Sequence, residues 1–288
     1  MRNVVYFIIG LFLVSCDVDS ALLWGNDGGD YDFSNAALPT DYNYEIDENL
    51  VDVFTLESDD NGDKADIYCV YVGDKSKIAT DTVILYCHGN GPYLDLFWPK
   101  AVQLANLGGK HRYGVLLYDY RGFGKSEGVS TGMGTMMADV NACLDWLKAN
   151  GLSGDRMVLL GESLGSIPGT YVAGSSEILV PEKYIYEVPQ SSADAIAQGA
   201  SGLSMPSSFL TDFNFDLLSE MKKYPNQLFW MHGTEDKTAP VENARQVYEA
   251  HTGSYKRALV VEDAPHGLRS FMGIEEWGKE VLDFILHE

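Results

Sequence analysis

The pentapeptide Gly161-Glu162-Ser163-Leu164-Gly165 is the part of this sequence best suited to covalent chemistry. Glycines on both sides of a serine allow a sharp turn from a strand into a helix, which leaves the hydroxyl exposed at the start of the helix. A short apolar segment, 157–160, precedes the pentapeptide, and a helical pattern follows it. The sequence therefore predicts that Ser163 is a nucleophile that attacks a carbonyl carbon.

A serine hydroxyl needs a general base, which in most enzymes of this kind is an imidazole. Among the histidines, His266 is the preferred candidate because it lies in a loop between the last predicted strand and the last predicted helix. Asp236 follows an earlier strand and would orient the imidazole, with the adjacent Glu235 as the alternative acid. The three groups then occur along the chain in the order Ser, Asp, His.

The elements that would position these side chains alternate regularly from about residue 44. Two segments of alternating polar and apolar residues, 45–57 and 65–72, predict a leading hairpin. Short apolar runs of buried strand character then alternate with helical patterns. These runs are 82–87, 113–119, 157–160, 184–188, 228–231 and 258–261. Strands separated by helices predict an α/β fold, with a mostly parallel central sheet and helices on both faces.

One long segment interrupts this alternation. Residues 190–224 are rich in Ser, Gly and Ala and fall between predicted strands 6 and 7. We interpret them as a short cap over the carboxyl edge of the sheet, where ligands bind in α/β proteins. Residues 44–288, including this cap, are predicted to form one domain, which a chain of 288 residues with 45% hydrophobic content can support.

The charge of the chain is strongly acidic. Lys and Arg total 20 against 42 Asp and Glu, giving a formal net charge of −22. Such a field repels nucleic acid, which we exclude as a partner. The acidic residues are concentrated near the start, with 14 Asp or Glu and no Lys or Arg between Asp17 and Asp63. Residues 16–43 are therefore interpreted as an acidic tether.

The first residues have the pattern of an export signal. Arg2 precedes an apolar run over 4–14, which is shorter than the roughly 20 residues that a membrane-spanning helix needs. The run ends in Leu13-Val14-Ser15-Cys16, which resembles the bacterial lipoprotein box. We expect 1–15 to be a signal peptide and Cys16 to be lipidated, anchoring an exported protein to the inner or outer membrane. The alternative is an ordinary signal peptide followed by an incidental cysteine.

The other three cysteines have no spacing typical of a metal site. Cys69 and Cys87 lie in strand-like runs, and Cys143 lies in a helical pattern. We interpret them as small buried core residues rather than as a disulfide framework. The sequence predicts no metal and no organic cofactor.

Five motifs, each at the end of a predicted strand, together resemble those of the α/β-hydrolase superfamily. They are 88–91 (HGNG), 119–128 (DYRGFGKSEG), 161–165 (GESLG), 231–236 (MHGTED) and 264–267 (APHG). The resemblance covers about 44–287. Within the superfamily, the sequence is similar in particular to small-lid bacterial serine hydrolases of the Bem46-like and serine-aminopeptidase (S33)-like groups. It implies an α/β-hydrolase fold.

The resemblance also implies an oxyanion hole made of two backbone N–H groups. One would belong to Leu164 and the other to Asn90, with Gly91 as the alternative. His88 would have a structural role.

The function implied is that of a serine hydrolase that cleaves a carboxylic ester, or a related acyl bond of a small molecule, through an acyl-enzyme. The same triad serves amidases, aminopeptidases and thioesterases. A free-amine peptidase would need a carboxylate near the pocket, for which Asp194 and Asp212 are available. A hypothesis of another class is a non-catalytic, membrane-tethered binding protein on a hydrolase scaffold. The sequence gives no prediction of oligomeric state.

Overall fold

The structure, a computed structural model, describes residues 30–40, 42–91, 93–190 and 215–288. Its strands form one eight-stranded sheet. They are β1 (Val51–Asp60), β2 (Asp63–Val72), β3 (Val83–Cys87), β4 (Gly114–Tyr118), β5 (Met157–Glu162), β6 (Lys183–Glu187), β7 (Gln227–Gly233) and β8 (Tyr255–Val261).

Seven α-helices occur in the described ranges. They are α1 (Trp98–Asn106), α2 (Met133–Ala149), α3 (Ser166–Ser175), α4 (Leu217–Lys223), α5 (Val241–Ala250), α6 (Leu268–Met272) and α7 (Ile274–Ile285). Within these ranges, no helix is both long and apolar enough to cross a bilayer.

The strand order across the sheet is β1-β2-β4-β3-β5-β6-β7-β8. β1 and β2 form an antiparallel hairpin, whose turn residues Asn61 and Gly62 both have positive φ, and β2 pairs antiparallel with β4. From β4 to β8 every pairing is parallel, and helices cover both faces. The predicted α/β-hydrolase fold is confirmed.

The central strands are apolar along their whole length because both faces of the sheet are covered. In β3, Val83, Leu85 and Cys87 pack in a core shared with α2, α3, α4 and α5. Ile84 and Tyr86 point the other way, into a core shared with α1, α6 and α7. Cys69, Cys87 and Cys143 are buried free thiols, as predicted.

The structure describes the segment predicted as a cap, 190–224, only at its two ends. Most of 190–224 lies outside the described residues, as do Asp194 and Asp212. Its final part, however, is α4, which packs against α3 and buries Leu217 and Met221 in the core. This helix belongs to the body of the fold. The apolar and charged residues of α4 are spaced as in a helix that has one buried face.

The described part of the predicted tether lies on the domain. The carbonyl of Ser34 accepts a hydrogen bond from Trp98 Nε1 at 3.0 Å, and the hydroxyl of Tyr42 donates to the carbonyl of Pro99. Residues 30–40 and 42–47 thus form a docked segment against α1. Cys16 and the predicted signal peptide lie outside the described residues.

Candidate active site

Ser163 lies at the turn between β5 and α3. It begins a 3₁₀ turn, Ser163–Gly165, that leads directly into α3. Its φ is 49°, a left-handed conformation that is uncommon for a residue with a side chain. At Gly165 a Cβ would lie 2.0 Å from the carbonyl oxygen of Cys87, so the turn fits under β3 only because this residue is glycine.

The three residues predicted as a triad meet at the carboxyl edge of the sheet. His266 Nε2 lies 3.0 Å from Ser163 Oγ, and His266 Nδ1 lies 2.7 Å from Asp236 Oδ2. Both distances are within hydrogen-bond range. With Nδ1 donating to the carboxylate, Nε2 is free to accept the proton of the serine hydroxyl.

The Asp236 carboxylate is buried and held by several donors. Its Oδ1 accepts from the N–H groups of Thr238 at 2.9 Å and Ala239 at 2.8 Å. Burial alone would raise the pKa of Asp236, but hydrogen bonds from His232, His266 and Ala239 outweigh it and hold the pKa well below its usual range. Asp236 is therefore ionised. The alternative acid, Glu235, is exposed and makes no contact with His266 among the hydrogen bonds of the described residues.

The loop that carries His266 is held against the loop that carries Asp236. A Cβ at Gly233 would lie 2.1 Å from the carbonyl oxygen of Ala264, so the two backbones touch here. The N–H of Glu235 also donates to the carbonyl of Ala264 at 3.0 Å. This close approach brings Asp236 and His266, which are 30 positions apart in the sequence, into hydrogen-bond contact.

The predicted oxyanion donors belong to two segments, the turn that begins at Ser163 and the loop that follows β3. Leu164 follows Ser163 in the first turn. Gly89, which precedes Asn90, lies close enough that an added Cβ would be 3.5 Å from Ser163 Cβ. Asn90 is exposed, and Gly91 is buried under Phe97. The roles of Asn90, Leu164 and Gly91 as oxyanion donors remain predictions.

Comparisons with known proteins agree with this architecture. A family model described as the α/β hydrolase fold matches residues 82–183. The uncharacterized protein YfhR of Escherichia coli K12 is 24% identical over 209 residues, which span 70% of this chain and 69% of YfhR. Human protein ABHD12B is 29% identical over 203 residues, spanning 60% of this chain and 51% of its own length.

A solved structure of esterase Pf2001 from Pyrococcus furiosus superposes with a TM-score of 0.65 at 20% identity, covering 90% of this chain and 96% of that one. The family model and the superposition agree on one architecture. The chain has the α/β-hydrolase fold.

His232 contacts Asp236 of the predicted triad, an arrangement that the sequence did not suggest. Trp230 Nε1 donates to His232 Nδ1 at 3.2 Å, so the proton of the ring lies on Nε2. That nitrogen contacts the carbonyl of Ala239 at 2.7 Å and Asp236 Oδ2 at 3.2 Å. The only signal in the sequence was the spacing of four positions between His232 and Asp236.

His88 is fully buried below the predicted oxyanion loop. Its Nδ1 donates to the carbonyl of Gly89 at 2.7 Å, and burial lowers its pKa to about 4, so the ring is neutral. Its Nε2 lies 3.9 Å from Asp119 Oδ1. Burial raises the pKa of Asp119 to about 7, and the hydroxyl of Tyr31 in the docked segment donates to Asp119. These contacts fit the structural role expected of His88.

A second group of buried charges lies behind the nucleophile. Lys100 Nζ contacts Glu162 at 2.9 Å and Glu187 at 2.6 Å. Sequence reasoning did not single out any of the three, because their partners lie on separate elements. The described ranges contain no group of three or more His, Cys, Asp or Glu side chains that could hold a metal ion.

Proposed function

We propose that this protein is a serine hydrolase that cleaves a carboxylic ester of a small molecule through an acyl-enzyme. The observation that carries the proposal is the continuous pair of contacts from Ser163 Oγ through His266 to Asp236, of 3.0 Å and 2.7 Å. A nucleophile, a base and a group that orients the base are the minimum set for this chemistry.

In the first step, Ser163 Oγ attacks the carbonyl carbon of the ester as its proton passes to His266 Nε2. The Asp236 carboxylate stabilises the resulting imidazolium through the Nδ1–H. The N–H groups of Leu164 and Asn90 would hold the oxyanion, and each such donor contributes about 3 to 4 kcal/mol to transition-state stabilisation in enzymes of this type.

The tetrahedral intermediate then collapses. His266 Nε2 returns the proton to the alkoxide oxygen, and the alcohol leaves while the acyl group stays on Ser163. A water molecule, deprotonated by the same Nε2, attacks the acyl-enzyme. Collapse of this second intermediate releases the carboxylic acid and regenerates the serine hydroxyl.

Esters are the proposed substrates because similar folds include proteins described as esterases, such as that of Pyrococcus furiosus. Amides and thioesters would use the same steps with a different leaving group. A non-catalytic binding protein would not need a strained serine in contact with a base that is itself oriented by a carboxylate.

We also propose that the protein acts outside the cytoplasm, held to a membrane by lipid on Cys16. The support is the short apolar run that ends in Leu13-Val14-Ser15-Cys16. The segment from Cys16 to Asp30 can span at most about 50 Å when fully extended. The site would therefore work near the membrane surface.

The experiment is a panel of p-nitrophenyl esters of increasing chain length, with aminoacyl p-nitroanilides and an acyl thioester alongside. We expect esters to give the highest kcat/KM. Ser163→Ala should abolish turnover, whereas Ser76→Ala, at an exposed serine far from the site, should not change it. Faster cleavage of anilides or thioesters would reassign the substrate class, and undiminished activity in Ser163→Ala would refute the mechanism.

A further inference from the structure

A cavity of ≈ 590 Å³ adjoins the triad on the face of the sheet covered by α1 and α7. Glu162, which precedes the nucleophile, and Gly267, which follows the base, both line it. Thr40 and Tyr42 of the docked segment form part of its wall. The cavity is thus bounded by the neighbours of both Ser163 and His266.

The inner end of this cavity is occupied by the buried charges around Lys100. The two carboxylates are well supplied with donors. Glu162 also accepts from the hydroxyl of Tyr86, and Glu187 accepts from Trp277 Nε1 at 2.9 Å. One ammonium between two carboxylates leaves this end with a formal excess of one negative charge.

Arg269 provides the opposite charge farther along the cavity wall. Its Nε donates to Gln103 Oε1 at 2.7 Å and its Nη2 to the hydroxyl of Tyr42 at 2.5 Å. Both partners are neutral. Burial is the main reason that the pKa of Tyr42 is raised to about 12, so this phenol stays protonated beside the guanidinium.

No carboxylate of the described residues forms a salt bridge with Arg269, and its Nη1 makes no hydrogen bond with them. The neighbouring acid, Glu275, instead accepts from the hydroxyl of Tyr44 at 2.9 Å and from the amide of Asn43. Arg269 thus has no carboxylate partner among the described residues, although the chain has 42 acidic and only 20 basic residues.

We propose that Arg269 binds a carboxylate carried by the substrate, and that this hydrolase prefers acyl chains ending in a carboxylate, as in half-esters of dicarboxylic acids. The inference rests on the proposed function and names its substrate class. A guanidinium fixed by two neutral contacts is suited to a carboxylate, because its planar fork can donate two parallel hydrogen bonds.

The polarity of the cavity would orient such a substrate. The negative inner end disfavours a carboxylate beside Glu162 and Glu187, whereas Arg269 favours one. An acyl chain would therefore place its carbonyl at Ser163 and its terminal carboxylate at Arg269. The number of carbons between the two groups is what a chain-length series measures.

The test compares p-nitrophenyl butyrate and hexanoate with mono-p-nitrophenyl succinate, glutarate and adipate. Kinetics are measured at about 0.15 M ionic strength, where screening over ~8 Å reduces the effect of the distant surface charges. The wild type should show a higher kcat/KM for at least one half-ester than for the neutral ester of similar length. Arg269→Gln should lower this ratio at least tenfold, mainly through KM, and Arg269→Lys should lower it less.

Lys64→Gln, an equal change of charge on the exposed β1–β2 hairpin, is the matched control and should leave the ratio unchanged. Because both kcat/KM values in the ratio are measured on the same variant, a general loss of activity lowers both values and leaves their ratio unchanged. An Arg269→Gln ratio equal to that of the wild type would overturn the inference. So would a preference of the wild type for esters that carry an ammonium group.

A binding measurement separates this inference from the proposed function. Monomethyl glutarate is titrated into Ser163→Ala protein, with and without Arg269→Gln, by calorimetry. We expect at least a tenfold weaker Kd when Arg269 is replaced. Equal affinities of the two proteins would reject the carboxylate site, even if the wild type hydrolyses esters. A clear difference in affinity would support the site, even if no ester turnover is found.

Discussion

At the scale of single residues, Ser163 combines strain with preorganisation. A left-handed conformation costs about 1 to 3 kcal/mol for a residue other than glycine and persists where the surroundings fix it. Here the next turn is fixed by Gly165 under β3, and the hydroxyl is in contact with an imidazole whose other nitrogen is bound to Asp236. The Asp236 carboxylate is fixed in turn by His232 and two backbone N–H groups.

Replacing Asp236 tests this chain of contacts. Asp236→Asn keeps the shape of the side chain but cannot hold His266 with the proton on Nδ1. We expect kcat for a p-nitrophenyl ester to fall by about 10³- to 10⁴-fold. Glu235→Gln at the exposed neighbour should leave kcat within about twofold, and comparable losses in both variants would contradict the assignment of the acid.

The raised pKa of Asp119 predicts that the stability of the protein depends on pH. Its pKa is raised to about 7 in the folded protein, against about 3.9 in the unfolded chain. Between these two pKa values, the folded state keeps a proton that the unfolded state has lost. The free energy of unfolding therefore falls as pH rises, by at most about 1.4 kcal/mol per pH unit.

Urea unfolding at pH 5, 6 and 7 measures this dependence. Asn cannot titrate, so the free energy of unfolding of the wild type should decline relative to Asp119→Asn across the series. Parallel curves for the two proteins would show that Asp119 does not titrate in this range.

At the scale of elements, glycines decide how closely the loops of the site can approach. Gly165→Ala places a Cβ 2.0 Å from a backbone oxygen, which cannot move without shifting β3. We expect a loss of about 1 to 3 kcal/mol or more in the free energy of unfolding, with reduced esterase activity. Gly109→Ala, where an added Cβ meets nothing within 4 Å, is the control and should keep the wild-type Tm.

The sheet was predictable because its parallel strands are buried on both faces and read as continuous apolar runs. The meeting of Ser163, Asp236 and His266 was predictable because each of them follows one of those strands. The helix α4, at the end of the segment predicted as a cap, was not recognised from the sequence, since it is short and carries Glu220, Lys222 and Lys223 beside the apolar residues that it buries.

The docked segment and its cavity could not be read from the sequence. Tyr42 contacts Arg269 across 227 positions, and Tyr31 contacts Asp119 across 88. No local periodicity reports such pairs. The acidic composition of 16–43 instead suggested a solvated tether, although the side chains of Tyr31 and Phe33 pack on the domain.

At the scale of the whole molecule, the acidic charge and the predicted lipid anchor have opposite effects at a membrane. A net charge of −22 is repelled by anionic headgroups, so the protein would depend on the lipid for attachment. The docked segment also connects the predicted anchor to the wall of the cavity, which would hold the site close to the bilayer.

Cys16→Ala tests the anchor in a bacterial host that expresses the full chain. The wild type should incorporate labelled palmitate and sediment with membranes, and the variant should do neither. Cys143→Ala, at a buried thiol, should behave as the wild type. A variant that still sediments with membranes and carries the label would rule out lipidation at this residue.

The proposed function requires above all that Ser163 is an activated nucleophile. A fluorophosphonate probe, followed by proteolysis and mass spectrometry, tests this directly on the purified full chain. The probe should modify Ser163 alone, and His266→Ala, which removes the base, should slow the labelling by at least tenfold while the protein remains folded. Absence of labelling in folded wild-type protein, or a label on another residue, would contradict the account.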